Sequence, residues 1–118
     1  MENAKFNAEK NEIANANFHC GSVDDIVYQL YNNGEKADIV VIDPPRAGTN
    51  EKTLNTIIKM NPKKVIYVSC NPATLARDIK HLTENSSYRI KKSTPIDMFP
   101  HTTHVETVVL LSNQRAVT

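Results

Sequence analysis

The chain has 118 residues, of which 40% are hydrophobic and 23% charged, and this composition predicts one small packed domain and argues against disorder. A net charge of +1 gives no overall signal for nucleic-acid binding, so any basic surface would have to be local. No apolar run is long enough to span a bilayer, and Cys20 and Cys70 have no paired or metal-like spacing, which favours a reducing, cytoplasmic setting without a membrane.

The first half of the chain predicts helices around one strongly apolar strand. Residues 1–10 have a helical pattern, residues 16–20 are a weak strand candidate, and a helix is predicted from Ser22 or Asp24 to the Asn32–Gly34 stop. The segment Ala37–Ile42 follows with four consecutive β-branched apolar residues, which predict a central strand covered on both faces.

The second half alternates helix and strand. The patterns predict a helix over 51–60, a strand over 64–68, a helix over 73–84, a strand over 88–93, a loop over 95–104, a last strand over 107–111 and a loose polar tail. Asn71 and Pro72 suit the N-cap and first positions of the helix predicted over 73–84.

Strands that alternate with helices predict an α/β fold with a mostly parallel sheet. About ten residues without a helical pattern join the last two strands, and this is short for a crossover, so the last strand is expected to be antiparallel. Asp43 and Cys70 then lie at the carboxyl ends of parallel strands, and Glu106 lies at the start of the reversed strand. All three residues are therefore predicted at one edge of the sheet.

Cys70 follows a strand and precedes a helix, where the free N–H groups of the first helical turn favour a thiolate. The residues alone leave alternatives open. Cys70 could be a small buried core residue, Asp43 a turn former before two prolines, and Glu106 a solvated charge.

Other polar residues carry less specific signals. His101, His104 and Glu106 have metal-like spacing, but a third well-placed ligand is not evident, so polar loop histidines and no metal site are predicted. Cys20 is interpreted as a structural thiol.

Three ordered motifs resemble those of the RNA 5-methyluridine (uracil-C5) methyltransferases, which use S-adenosylmethionine to methylate carbon 5 of uridine in ribosomal and transfer RNA. The motifs are Asp43–Gly48 (DPPRAG), Ser69–Asp78 (SCNPATLARD) and Asp97–Glu106 (DMFPHTTHVE), within a resemblance that runs from about Ala4 to Leu111. The resemblance implies a partial Rossmann-like class I methyltransferase sheet with an antiparallel last strand and helices on both faces.

The resemblance also implies roles for individual residues. Cys70 would be the nucleophile that adds to carbon 6 of uracil, and Glu106 would be the base that removes the proton from carbon 5. Asp43 would lie beside the S-adenosylmethionine methyl group, and Arg46 in the same motif would contact the RNA substrate. The target base would have to leave its stack to reach these residues.

The chain departs from the family pattern in one respect. With Gly21, Gly34 and Gly48 as its glycines it holds no G-x-G-x-x-G turn, and neither an RNA-binding region nor the ribose-binding acid is recognisable. We therefore expect residues 1–118 to be the C-terminal portion of a methyltransferase catalytic domain, with weak cofactor binding and no activity alone. The open edge of the 39–42 strand is then expected to pair with the Phe18 segment or with a second chain, giving a homodimer.

Two other functions remain open at this stage. One is a thiol hydrolase that uses Cys70 with His101 or His104, which would act without S-adenosylmethionine and need a histidine. The other is a non-catalytic fragment or interaction module, which the missing Gly-rich turn favours.

Overall fold

The structure is a computed structural model that describes residues 18–96 and 106–114. Within these ranges lie helices α1 (Val23–Asn32), α2 (Glu51–Met60) and α3 (Pro72–Glu84) and strands β1 (Ile39–Ile42), β2 (Lys64–Ser69), β3 (Tyr88–Ile96) and β4 (Glu106–Asn113). None of these helices has the length and apolar character needed to cross a membrane.

The four strands form one sheet in the order β1-β2-β4-β3. β1 is parallel to β2, whereas β4 is antiparallel to both of its neighbours, β2 and β3. β1, β2 and β3 therefore run in one direction and β4 alone is reversed. The predicted α/β class, with a mostly parallel sheet and an antiparallel last strand, is confirmed.

The described helices pack against one face of the sheet, which differs from the expected cover on both faces. β1 leads to β2, and β2 leads to β3, in the same direction across the sheet, so right-handed crossovers bring α2 and α3 to the same side. Crossover helices move to the other face of a sheet only where successive parallel strands begin to be added in the opposite direction across it. The parallel strands described here are all added in one direction. The buried core lies between this face and the helices and consists of Leu54, Ile57, Val65, Tyr67, Ile79, Leu82, Tyr88, Val109 and Leu111, with Val27 of α1 packed against it.

β1 is an edge strand of the described sheet, which agrees with the open edge expected for this chain, whereas the central strand covered on both faces that its apolar run predicts is wrong. Ile39 and Val41 are 54% and 63% exposed. β-branched residues favour the extended backbone wherever the strand lies, so the run identified the strand but not its position. The face opposite the helices is nevertheless apolar, because Val41 is in register with Ile66 and Leu110.

Other bounds differ slightly from the predictions. β3 continues to Ile96 and includes Pro95, which an edge strand tolerates because the missing N–H can face away from its neighbour. β4 continues to Asn113, whose buried side chain accepts a hydrogen bond from the Ser87 hydroxyl.

Some predicted elements lie wholly or partly beyond the described ranges. Phe18–Cys20 is irregular, and the rest of the 16–20 strand candidate falls outside the described residues, as do the 1–10 helix, most of the 95–104 loop and residues 115–118.

Candidate active site

The end of β2 and the beginning of β4 lie side by side. Ser69, the last residue of β2, is the register partner of Thr107, the second residue of β4. Opposed residues in antiparallel strands have Cα atoms about 5 Å apart. Cys70 and Glu106 are each one residue beyond this pair, at the same edge of the sheet. The register therefore agrees with the convergence predicted from the strand order.

Asp43 belongs to the same edge. β1 ends at Ile42, which is the register partner of Tyr67 in the parallel strand β2, so the chain leaves β1 and β2 at neighbouring points. Asp43 and Arg46 are both exposed in the loop that follows. The segment Asp43–Asn50 is called the β1 loop below.

Ser69 fixes the turn that carries Cys70. Its buried hydroxyl accepts a hydrogen bond from the Asn71 N–H and donates one to the Asn71 carbonyl, both at 3.0 Å. The Asn71 side chain caps α3 by accepting the Ala73 N–H at 3.1 Å, as predicted, and Pro72 occupies the first turn. Cys70 is a free, half-buried cysteine immediately before this capped helix end.

Side chains of α3 hold the backbone of the β1 loop. The Arg46 carbonyl accepts hydrogen bonds from the Asn71 amide at 2.9 Å and the Thr74 hydroxyl at 3.1 Å. The Ala47 carbonyl accepts one from the Arg77 guanidinium at 2.9 Å. The helix that begins beside Cys70 is thus the same helix that holds the loop carrying Asp43.

Asp78 is the buried centre of this contact. Its side chain is 1% exposed and accepts hydrogen bonds from the Thr49 N–H at 2.8 Å, the Tyr67 hydroxyl and the Arg77 Nε at 3.1 Å. Burial, with a further contribution from the hydrogen bond to Asp78, raises the pKa of Tyr67 to about 12. One carboxylate therefore joins β2, α3 and the β1 loop.

Sequence reasoning missed this role of Asp78, although a signal was present. Leu75, Ile79 and Leu82 define the apolar stripe of α3, and Asp78 lies on the same stripe, three residues after Leu75. An acid on a buried stripe needs partners, and the neighbouring Arg77 is one of them.

The remaining candidates do not join this edge in the described part of the chain. Cys20 is exposed in an irregular segment, so it does not contribute to the core as a structural thiol would. His101 and His104 fall outside the described residues. Among the residues that are described, no group of three or more histidine, cysteine, aspartate or glutamate side chains could hold a metal ion.

A groove of about 380 Å³ runs beside α2 and α3 and is separate from the Cys70 turn. Its charged side chains are Glu51, Asp78 and Glu84 against Arg77 and Lys80, which is a formal excess of one negative charge. The groove therefore has no marked preference for an anionic ligand.

Comparison with known proteins identifies the family. Residues 1–114 match the family model described as tRNA (uracil-5-)-methyltransferase. RNA methyltransferases of Listeria innocua and Bacillus cereus, both named as uncharacterized, are 52% and 54% identical over 112 residues, which is 95% of this chain and 24% of each relative. The chain thus spans about a quarter of the length of the curated relatives it matches.

Solved structures agree with the fold. The tRNA (uracil-54, C5)-methyltransferase of Pyrococcus abyssi, solved with S-adenosyl-L-homocysteine, matches with a TM-score of 0.74 and 38% identity over 93% of this chain and 25% of that chain. The M1.HpyAVI–SAM complex, with a TM-score of 0.63 and 16% identity over 83% of this chain and 53% of that chain, supports the fold alone. With the family match extending over nearly all its residues, this chain belongs to the tRNA (uracil-5-)-methyltransferase family.

Proposed function

We propose that this chain is the C-terminal portion of the catalytic domain of an enzyme that methylates carbon 5 of uridine in RNA, with S-adenosylmethionine as the methyl donor. Family membership and the 38% identity to the Pyrococcus abyssi enzyme support the reaction class. The substrate would be ribosomal or transfer RNA. Because Cys70 must be a free thiol to act, the proposal includes a reducing, cytoplasmic setting.

The β2–β4 register is the observation that carries the proposed chemistry. Ser69 opposes Thr107, so a nucleophile at Cys70 and a base at Glu106 would lie opposite each other on adjacent chain segments, each one residue beyond this pair. A planar uracil ring can then receive the thiolate at carbon 6 and offer its carbon-5 proton to the carboxylate on the neighbouring strand.

In this mechanism the Cys70 thiolate adds to carbon 6, and the carbon 5–carbon 6 electron pair moves to the carbonyl at carbon 4 to give an enolate. The cofactor, when bound, supplies a methyl group on a positively charged sulfur. The new bond from carbon 5 to that methyl carbon would form as the methyl–sulfur bond breaks, with its electron pair left on the sulfur. Glu106 then takes the carbon-5 proton, the electrons of that C–H bond restore the double bond, and Cys70 leaves as a thiolate.

Asp43 and Arg46 are proposed to bind the reactants from the β1 loop. Asp43 would lie beside the cofactor, where a carboxylate attracts the positive sulfonium centre. The Arg46 carbonyl is held by Asn71 and Thr74, so its exposed guanidinium projects from a fixed backbone and suits an RNA phosphate.

The test uses the complete enzyme with Glu106→Gln, Cys70→Ala and the matched control Glu84→Gln, which changes an exposed acid at the end of α3. Glu106→Gln should add Cys70 and transfer the methyl group but retain the product, so a denaturing gel should show a protein–RNA adduct. Cys70→Ala should give neither adduct nor methylation, and Glu84→Gln should turn over normally. Free turnover by Glu106→Gln without adduct would assign the base to another residue.

We further propose that the chain as given does not bind the cofactor tightly and is inactive alone. Gly21, Gly34 and Gly48 cannot form the Gly-rich turn that lets a backbone approach the cofactor, so the residues present supply only the Asp43 side of a pocket. Calorimetric titration with S-adenosylmethionine should detect no micromolar binding. A micromolar dissociation constant, which corresponds to about −8 kcal/mol, would contradict this proposal.

The third element of the proposal is self-association. β1 is an unpaired edge of the described sheet, and its outward side chains Ile39 and Val41 are exposed and apolar. Such an edge can be satisfied by the same edge of a second copy, giving a homodimer.

A further inference from the structure

Side chains of the N-cap and the first two turns of α3 hold the backbone of the β1 loop. The Arg46 carbonyl accepts hydrogen bonds from the Asn71 and Thr74 side chains, and the Ala47 carbonyl accepts one from Arg77. The Thr49 N–H donates one to the Asp78 carboxylate. Side-chain bonds to successive backbone groups define the position of a loop more sharply than apolar packing does, since each depends on distance and direction.

The buried charge at Asp78 indicates that this side chain has a role in placing the β1 loop, beyond filling space between α3 and the sheet. A carboxylate removed from water is costly unless it is paired and hydrogen-bonded, and an apolar side chain would suffice to pack α3 on the sheet. Asp78 is 1% exposed, whereas the Arg77 side chain is 58% exposed and reaches both Asp78 and the Ala47 carbonyl. Arg77 thus connects the buried acid to the loop from the surface.

We propose that Arg77 and Asp78 are positioning residues for methyl transfer, because they fix the β1 loop that carries Asp43 against α3, the helix that follows Cys70. This inference rests on the proposed function, in which Cys70 holds the uracil and the β1 loop borders the methyl donor. The two reacting carbons come from opposite sides of this contact, so their alignment depends on it.

The proposal separates two chemical events. Addition of Cys70 to carbon 6 requires the Ser69–Asn71 turn, and at saturating RNA it does not depend on how the β1 loop holds the methyl donor. Once the adduct forms, carbon 5 can take a proton from solvent; removal of a proton from carbon 5 and departure of the thiolate then restore uracil with an exchanged hydrogen. Methyl transfer needs the same adduct and also the aligned donor. A loosened loop should therefore lower methylation more than exchange.

The experiment uses the complete enzyme and RNA with tritium at carbon 5 of the target uridine. Tritium release and methyl incorporation are measured on the same samples at saturating RNA and S-adenosylmethionine. Arg77→Gln removes both contacts of the guanidinium, and Arg77→Lys keeps the charge and one donor. Arg89→Gln is the matched control, because Arg89 also donates to two carbonyls, of Thr83 at 3.2 Å and Tyr88 at 2.8 Å, at the other end of α3.

For Arg77→Gln we expect methylation to fall by about tenfold to a hundredfold and the ratio of tritium released to methyl incorporated to rise about tenfold. Arg77→Lys should recover part of the ratio, and Arg89→Gln should leave it unchanged. Asp78→Asn should raise the same ratio, and the double variant with Arg77→Gln should raise it by less than the product of the two single effects, as expected for two members of one contact.

Two results would overturn the proposal. A parallel loss of tritium release and methylation in Arg77→Gln would indicate a purely structural role, and an unchanged ratio with full activity would exclude any role. Cys70→Ala distinguishes these failures from failure of the proposed function. If that variant still released tritium, the covalent mechanism itself would be wrong, whatever Arg77 does.

Discussion

At the scale of single residues, Gly48 packs closely against α3 within the β1 loop. Its φ is +83°, and a Cβ built there would lie 2.5 Å from the Arg77 Nη2 and 2.9 Å from both the Asp78 Oδ2 and the Thr74 Cβ. A side chain there would therefore force Arg77, Asp78 or Thr74 of α3, or the loop itself, to shift.

We predict that Gly48→Ala destabilises the chain more than Gly34→Ala. Gly34 has nearly the same φ, +82°, but open space around the added Cβ, so it isolates the backbone cost of about 1 kcal/mol. Gly48→Ala should cost roughly 2 kcal/mol more because the contact with α3 must shift. Urea unfolding of both variants measures the difference, and equal losses would mean that the loop yields freely.

The tyrosines predict a pH dependence. Tyr67 and Tyr88 are fully buried, and burial is the largest cause that raises the pKa of each to about 12 from 10. The folded chain thus keeps phenol protons that the unfolded chain loses above pH 10. Their contribution to stability is complete below pH 10 and is lost as the pH rises through 12.

Tyr67→Phe should accordingly be less stable at neutral pH, by about 1 to 3 kcal/mol, since Asp78 loses a donor. Its deficit against the unaltered chain should narrow between about pH 10 and 12, because the variant has no phenol to titrate there. Tyr28→Phe, at a 43% exposed tyrosine, is the control for the loss of an exposed hydroxyl and should cost little at neutral pH. A deficit that stays constant for Tyr67→Phe would contradict the raised pKa.

The positions of residues at strand ends could be predicted from the sequence, whereas the hydrogen-bond partners of a buried residue could not. Strand ends and strand direction follow from pattern and connection length, so the convergence of Asp43, Cys70 and Glu106 on one edge was accessible. The partners of Asp78 were not, because hydrogen bonds to Thr49 and Tyr67 depend on how a loop folds back. Hydrophobic periodicity indicates which face of a helix is buried, but it does not indicate which backbone groups contact that face.

At the scale of elements, the N-cap residue of α3, Asn71, has two functions. Asn71 caps the helix through the Ala73 N–H and also donates to the Arg46 carbonyl, whereas Asn50 caps α2 through the Lys52 N–H at 2.8 Å. The two caps are chemically alike, and only the Asn71 cap holds the β1 loop by its second polar atom.

We expect Asn50→Ala to cost about 1 kcal/mol, the value of a cap, and Asn71→Ala about 2 kcal/mol, because the bond to Arg46 is lost as well. Asn71→Asp keeps the capping oxygen and loses the amide donor, so it should fall between the unaltered chain and Asn71→Ala. Thermal unfolding of the three variants tests this order. Equal costs at both caps would show that the link to Arg46 contributes nothing to stability.

The elements themselves were well predicted where capping residues and periodicity agreed, as for α2 and α3. Errors arose in the strands, since β1 was assigned to the sheet centre and β3 and β4 were each predicted too short. A strand's neighbours and length are fixed by its partners, which local sequence does not specify.

At the scale of the whole molecule, the described sheet has one face under helices and one apolar face without them. Val41, Ile66 and Leu110 are in register on this second face, and β1 leaves one edge unpaired. The relatives are about four times as long as this chain, so in a complete enzyme other residues are available to cover that surface. In the chain alone, a second copy offers the same apolar edge and unsatisfied backbone groups.

This arrangement predicts that self-association depends on β1 and not on the opposite edge. Val41→Lys places a charge on the β1 edge. In a symmetric dimer the two lysines would lie close together and repel each other, so association should be lost. Ile90→Lys is the matched control, because Ile90 is also apolar and 52% exposed but lies in β3, at the other side of the sheet. Sedimentation velocity over a range of concentrations should show the unaltered chain and Ile90→Lys approaching the mass of two copies, with Val41→Lys remaining at one. If the unaltered chain stays at the mass of one copy throughout, or if Ile90→Lys alone prevents association, β1 is not the pairing edge.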